Sequence, residues 1–349
     1  MYFCSMIDLE KFKELLSVPT KTYDEDMMVE YLTTIMGNMS GVNVTCDEHN
    51  NIYVTKGQLN VGEFYPMFVA HTDTVHNIVP KINVKEVEVY RPVTFGKIFE
   101  SVPVKALKAY DNDENPTGIG GDDKCGIFIC LNLLEKLDKV KIGLFVSEET
   151  GCHGSSKCDE SFLQDVGYIC QYDAPGDHLI TEICSGVRLF ERESEFGSLS
   201  YTAIKDAFGC EMTLGSHPYT DVMQLKKKSD VSCINMSCGY YNMHSANEFV
   251  CIDDVERAIQ AGLNMVSSLG LKKYEFKNEP IKYNSTLFDF EYEDKDVFYE
   301  KVHQLTSIDV VEDKDGIIIT DFYDDNNFFI DDEDGYKLYE ILKNRYSLD

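Results

Sequence analysis

The sequence predicts an α/β fold with a mixed, largely parallel central sheet flanked by helices, plus a small α+β appendage at the C-terminal end. Three observations carry that expectation. Short, continuously apolar runs at 64–70, 141–147, 166–172 and 231–238 each have the length and texture of a strand buried on both faces. Stretches with helical periodicity lie between them, at 122–137, 200–207, 221–228 and 253–269, and such alternation builds a sheet covered by helices. After about residue 270 the texture changes, for residues 271–349 carry 21 acids and 10 bases, a net of −11.

In chain order, 9–16 and 26–36 have apolar residues at three- and four-residue spacing and read as amphipathic helices, separated by Ser17-Val18-Pro19-Thr20. The β-prone runs 42–46 and 51–55, with a polar turn at 47–50, read as a hairpin. Residues 80–118 depart from the strand–helix alternation and read as extra β-structure (INVKEVEVY, then PVKALKAY) ending in a polar loop. No repeat of fixed period is visible. Beyond 270, STLFDFEY and GIIITDFY suggest strands, and DVFYEKVHQL and GYKLYEILKNRY suggest helices. Their aromatic content is too high for a disordered acidic tail. The expected division is a catalytic domain over 1–270 and an acidic α+β region over 271–349.

Of the 349 residues, 61 are Asp or Glu and 32 are Lys or Arg, a formal charge of −29. That balance argues against a nucleic-acid partner, because binding a phosphate backbone requires clustered cations. No apolar run approaches the ~18–20 residues of a membrane span, and the first residues lack a basic segment followed by a long apolar one. A soluble, cytoplasmic protein with no membrane partner is expected. The twelve cysteines are scattered, often inside apolar runs, and form no CxxC pair. Buried reduced thiols account for that pattern.

The chemistry is concentrated where the buried strands end. The run 64–70 leads into His71-Thr72-Asp73, 141–147 into Glu148-Glu149, 166–172 into Asp173, and 231–238 is followed by His244. Asp122-Asp123 lies in GIGGDDKCG, where glycines permit a tight turn and a helix begins. Ligands of open α/β sheets bind at the carboxyl ends of the strands, so these loops are expected to converge on one edge. Carboxylates gathered in this way repel one another unless cations stand among them. Nitrogen and oxygen donors without thiolate suit zinc first, with manganese or cobalt as substitutes. Such an ion would hold a water, lower its pKa and polarise a carbonyl, while one carboxylate of Glu148-Glu149 stays free to accept the proton.

HTDTV, GGDDKCG, EETG, an Asp at the end of the following strand and a late HSANE resemble, in order, the five signature segments of the co-catalytic zinc aminopeptidase and carboxypeptidase superfamily. The first half most resembles the peptidase T (tripeptide aminopeptidase) branch. The stretch TDVMQLKKKSDVSCINMSCGYYNMHSANEFVCIDDV is more similar to the glutamyl and deblocking aminopeptidase branch. The similarity covers about residues 8–268. It implies the phosphorylase/hydrolase-type architecture of zinc aminopeptidases and two Zn2+ ions. By position, it implies His71 and Asp173 on one ion, Glu149 and His244 on the other, and Asp122 bridging them. It further implies Glu148 as general base and Asp73 as the carboxylate that orients His71.

One feature departs from the peptidase T pattern. That branch carries a domain-sized lid between its fourth and fifth ligands, whereas Asp173 and His244 are only 71 residues apart, a span already taken by apparent strand, helix and strand. The lid is expected to be missing, and with it a lid-mediated dimer. His217, in GSHPYTD, is the residue expected to replace the catalytic contribution of that lid from within the core. His76, His153 and His178 read as supporting or surface residues, Lys124 as the partner of a nearby acid, and Lys226-Lys227-Lys228 as a solvated helix end. The expected function is a metallopeptidase that cleaves short peptides near a free N-terminus. An N-acyl amino-acid deacylase or carboxypeptidase is the alternative within enzymes, and an inactive metal-binding interaction module the alternative outside them.

Overall fold

Asp8 starts the first helix by accepting the Lys11 N–H on its side chain, and Phe12 of that helix stacks on Phe128, ring centres 4.1 Å apart. The computed structural model describes residues 7–79, 81–95 and 98–277, with four strands beyond residue 300. The chain separates into two compact units, 1–278 and 279–349.

In the first unit, α1 (Leu9–Ser17) and α2 (Asp26–Gly37) precede the hairpin of β1 (Val42–Cys46) and β2 (Ile52–Lys56). Then come β3 (Tyr65–His71), a long hairpin of β4 (Asn83–Phe95) and β5 (Ile98–Tyr110), the short β6 (Pro116–Thr117), α3 (Gly121–Lys136) and β7 (Val140–Phe145). The short α4 (His153–Ser156) is followed by β8 (Val166–Ala174), β9 (Leu179–Cys184), β10 (Val187–Arg188) and α5 (Glu195–Phe208). The unit ends with β11 (Thr213–His217), α6 (Asp221–Lys228), β12 (Cys233–Ser237), β13 (Tyr240–Tyr241), β14 (Phe249–Cys251) and α7 (Ile252–Leu269).

A nine-stranded sheet runs β1-β2-β7-β3-β8-β12-β9-β10, with β11 on β9. The four apolar runs of the sequence become its contiguous parallel centre, β7-β3-β8-β12, in which every residue is buried. This is the burial that continuous apolar sequence requires. The outer strands β1, β2 and β10 pair antiparallel with their neighbours. β9 and β11 lie outside the four apolar runs; β11 (TLGSH), which contains Gly-Ser, is placed by parallel pairing with β9. Helix α5 begins at Glu195, earlier than its periodicity suggests, because the Ser194 hydroxyl accepts the Gly197 N–H and caps it there.

The extra β-structure expected within 80–118 is present among the described residues. β4 and β5 join β14, β13 and β6 in a second sheet of five strands. Arg91 of β4 pairs with Asp177, lies 3.3 Å from Asp254 and donates to the Tyr241 hydroxyl at 3.1 Å, which ties the hairpin to the segment leading into His244. Between Asp173 and His244, strands β9 to β12 all belong to the main sheet. Lys226, expected in solvent, is buried: its ammonium donates to the Val231 carbonyl at 3.1 Å and to that of Phe276, over whose ring it lies.

The second unit contains β15 (Val302–Leu305), β16 (Ile308–Asp313), β17 (Gly316–Asp321) and β18 (Asn327–Asp331) as an antiparallel sheet in sequential order. The strand expected at GIIITDFY is β17, but the helix expected over 296–305 is overturned at its end, where 302–305 is a strand. The β-branched run of β16 begins three residues later and offers an edge to pair with, which outweighs helical periodicity. STLFDFEY and GYKLYEILKNRY lie outside the described residues. Among the described residues no helix is long and apolar enough to cross a membrane.

Candidate metal centre

His71 is the last residue of β3, and the neighbours of β3 in the sheet, β7 and β8, deliver Glu148-Glu149 and Asp173 to the same edge. Its imidazole is buried. Nδ1 lies 3.0 Å from the Asp73 carbonyl oxygen and 3.3 Å from Asp73 Oδ1. Nε2 lies 3.0 Å from Asp122 Oδ1 and 3.7 Å from Asp173 Oδ1. His244, with φ 60°, places Nε2 3.3 Å from Asp122 Oδ2 and 3.1 Å from Glu149 Oε2. Two groups of donors result, His71/Asp122/Asp173 and Asp122/Glu149/His244, each within 4.8 Å. They share Asp122, one oxygen of which faces His71 and the other His244.

The surroundings hold these side chains in place. Asp73, fully buried, accepts the Glu148 N–H at 2.9 Å on Oδ1, and the Glu149 N–H at 3.3 Å and Thr22 hydroxyl at 2.8 Å on Oδ2. Asp173 Oδ2 accepts the Thr220 hydroxyl at 2.7 Å, and its N–H donates to Asn235 Oδ1 at 2.8 Å. Asp123, whose role the sequence does not reveal, joins β3 to the start of α3 by accepting the His71 N–H at 3.2 Å and the Gly126 N–H at 3.0 Å. Glu25, likewise unforeseen, accepts the Ser147 N–H at 2.9 Å and steadies the approach to Glu148.

The electrostatics are those of a site short of positive charge. Burial, then the proximity of Asp173, pushes Glu148 and Asp123 well above the usual carboxyl range, and burial first of all pushes Asp221 up to about 8. The carboxylates of Asp122 and Glu149 raise His244 to about 10. Burial alone would lower His71, but Asp122, Asp173 and Asp73 hold it well above its ordinary value. Lys124 interacts with the buried acid Glu248 only through space. Expected to pair with an acid, it instead donates to the Leu16 and Val18 carbonyls, both at 2.9 Å, and burial lowers it to about 8.

These residues fit the binding of a divalent cation. If His71 donates its Nδ1 hydrogen to Asp73, the lone pair on Nε2 faces two carboxylates, an arrangement that a cation between them would satisfy. Glu149 Oε1 is buried with no hydrogen-bond partner. The donors are all nitrogen and oxygen, the set that zinc, manganese and cobalt accept.

Among the other histidines singled out in the sequence, His76 lies 2.7 Å from Glu248, His178 pairs with Asp177, and His153 is exposed at the start of α4. His217 ends β11 outside both donor groups, with Nδ1 2.8 Å from the Tyr219 carbonyl oxygen. Nine of the eleven described cysteines are buried and all eleven are free.

No family model and no curated protein matches the sequence. Solved structures do match the fold. Aminopeptidase PepT from Bacillus cereus has a TM-score of 0.58 at 14% identity, covering 75% of this chain and 97% of that one. A tripeptidase from Staphylococcus aureus gives 0.54 at 13%, covering 74% and 96%. An aminopeptidase from the archaeon Desulfurococcus kamchatkensis gives 0.53 at 14%, covering 74% and 94%. The chain has the zinc aminopeptidase-like fold of these proteins, with its mostly parallel central sheet and flanking helices.

Proposed function

We propose that this protein is a two-metal peptidase that removes residues from the free N-terminus of short peptides. The observation that carries the reading is Asp122: one carboxylate faces His71 through Oδ1 and His244 through Oδ2, and belongs to both donor groups. The fold shared with solved aminopeptidases supports it. His71 and Asp173 would hold one ion, Glu149 and His244 the other, and Asp122 both; zinc is the metal that the donor set favours. Bound there, the ions would polarise the scissile carbonyl and acidify the attacking water.

The chain's own residues do the rest. Glu148, buried within 4.0 Å of His71 Nε2, accepts the proton of the attacking water and returns it to the leaving amine. Asp73 orients the His71 ring and, through the Glu148 and Glu149 N–H groups, the turn that separates base from ligand. His217 is assigned a supporting role toward the substrate. With Nδ1 donating to Tyr219, its Nε2 is an acceptor when the ring is neutral and a donor only as imidazolium. The acidic surroundings favour substrates that present a cationic amine, and the free thiols suit a cytoplasmic setting.

A panel of short peptides, each with a free and an N-acetylated terminus, tests the assignment. Release of the N-terminal residue from the free set alone is expected. Cleavage of only the acetylated set would make the protein a deacylase, and cleavage of neither set by metal-loaded protein would refute peptidase activity.

A further inference from the structure

One buried acid beside the centre is not used by the chemistry above. Glu248 directly precedes β14, four residues after His244, and is fully buried. Its Oε1 accepts the Asp122 N–H at 3.1 Å. Its Oε2 accepts the Gly120 N–H at 2.9 Å and lies 2.7 Å from His76 Nε2. Three segments thus meet on one carboxylate: the loop after His71, through His76; the turn that presents Asp122; and the loop of His244, to which Glu248 itself belongs.

The glycines of GIGGDD make this approach possible. A Cβ on Gly118 would lie 2.0 Å from the His76 ring, and one on Gly121 would lie 2.8 Å from Tyr240 and Val250 and 3.2 Å from Glu248 Oε1. Gly120 has φ 66°, which a side chain would strain. An ionised carboxylate only accepts hydrogen bonds, so it can satisfy three converging donors at once, whereas an amide cannot.

We infer that Glu248, steadied by His76, is the positioning residue for Asp122, and that it sets the affinity of both cation sites by fixing where their shared carboxylate stands. The inference rests on the two-metal reading. The Glu248 carboxylate contacts Asp122 at its backbone N–H, not at its carboxylate, and acts through that backbone. Glu248→Gln nearly preserves volume but presents an NH2 to at least one of the three donors. Loss of a partner that orients a metal ligand weakens metal binding by roughly 10–100-fold.

The test is a cobalt(II) titration of the full-length chain after its metal has been stripped, followed by calorimetry and by the visible absorption of the bound ion. Wild type is expected to take two ions. Glu248→Gln is expected to bind them about 10–100-fold more weakly, with an altered absorption band. Glu182→Gln is the control for general destabilisation, because Glu182 is also buried but holds Arg188 and Arg192 at 2.7 and 2.5 Å in a separate ion pair; its cobalt affinity is expected to match wild type. Should Glu248→Gln fail to fold, His76→Ala, which removes one of the three donors, carries the test with an expected loss of about threefold to tenfold, since each tenfold step is 1.4 kcal/mol.

Two ions bound by wild type with unchanged affinity in the folded Glu248 variant, or in His76→Ala where that variant carries the test, would overturn the inference and leave the two-metal reading intact. Equal weakening in Glu182→Gln would also overturn it. Failure of folded wild type to bind any ion would overturn both.

Discussion

Asp73→Asn removes one charge from a buried group and leaves its size almost unchanged, so its effect can be worked out bond by bond. Oδ1 serves the Glu148 N–H and faces His71 Nδ1; Oδ2 serves the Thr22 hydroxyl and the Glu149 N–H. The amide nitrogen does least harm on the Oδ2 side, where the Thr22 hydroxyl can rotate and become an acceptor. The Glu149 N–H, at 3.3 Å already the longer bond, then faces a donor. On the other side, bonds to a charged acceptor, worth about 1.5–3 kcal/mol, become neutral ones worth about 1. A loss of about 2–3 kcal/mol in transition-state stabilisation follows, or roughly 30–150-fold in kcat/KM. The assay is steady-state cleavage of an unblocked tripeptide at saturating zinc, with thermal melting measured alongside. Most of the loss should fall on kcat, because the displaced groups are the proposed base and a proposed metal ligand rather than the substrate-binding surface. A folded Asp73→Asn enzyme within about threefold of wild type would refute the role assigned to this carboxylate.

Glu148→Gln should lower kcat by about 10²–10⁴-fold while retaining the wild-type metal content; retained activity would remove Glu148 from the role of base. His217→Ala should lower kcat/KM well beyond twofold, and a change within about twofold would end its assignment. Lys124 gives a stability signature. Its folded pKa, about 8, lies below the 10.5 of the unfolded chain, so between these values the unfolded state holds the extra proton and stability rises with pH. Relative to Lys124→Met, metal-free wild type should gain about 2–3 kcal/mol between pH 7.5 and 10 in urea unfolding, and parallel pH profiles would contradict the burial argument.

The parallel centre of the sheet was legible because strands buried on both faces leave unbroken apolar runs, and β3, β7, β8 and β12 all arise from such runs. The convergence of His71, Asp122, Glu149, Asp173 and His244 was legible for a related reason: each follows or ends a buried strand, or opens a helix, at one edge. Elements fixed by pairing rather than by composition were hidden, as with β11, a Gly-Ser segment that pairs only because β9 is beside it. β15 was misread because a four-residue strand gives too few residues to separate the periods of helix and strand. Buried charge was the other blind spot. Lys124 and Lys226 read as ordinary cations near acids or solvent, yet both are folded onto backbone carbonyls. Glu248 left two traces, as the last residue of HSANE and as an acid set directly against the apolar Phe249-Val250 pair, but the convergent donors that make its burial tolerable come from distant segments.

The central claim is that two cations share Asp122, and the metal content of the purified full-length chain tests it most directly. Elemental analysis should return close to two transition-metal ions per chain, falling toward none in Asp122→Ala while one-ligand variants such as His244→Ala retain an intermediate content. A well-folded wild-type protein that carries no ion, and takes up none when zinc is supplied, would contradict the account.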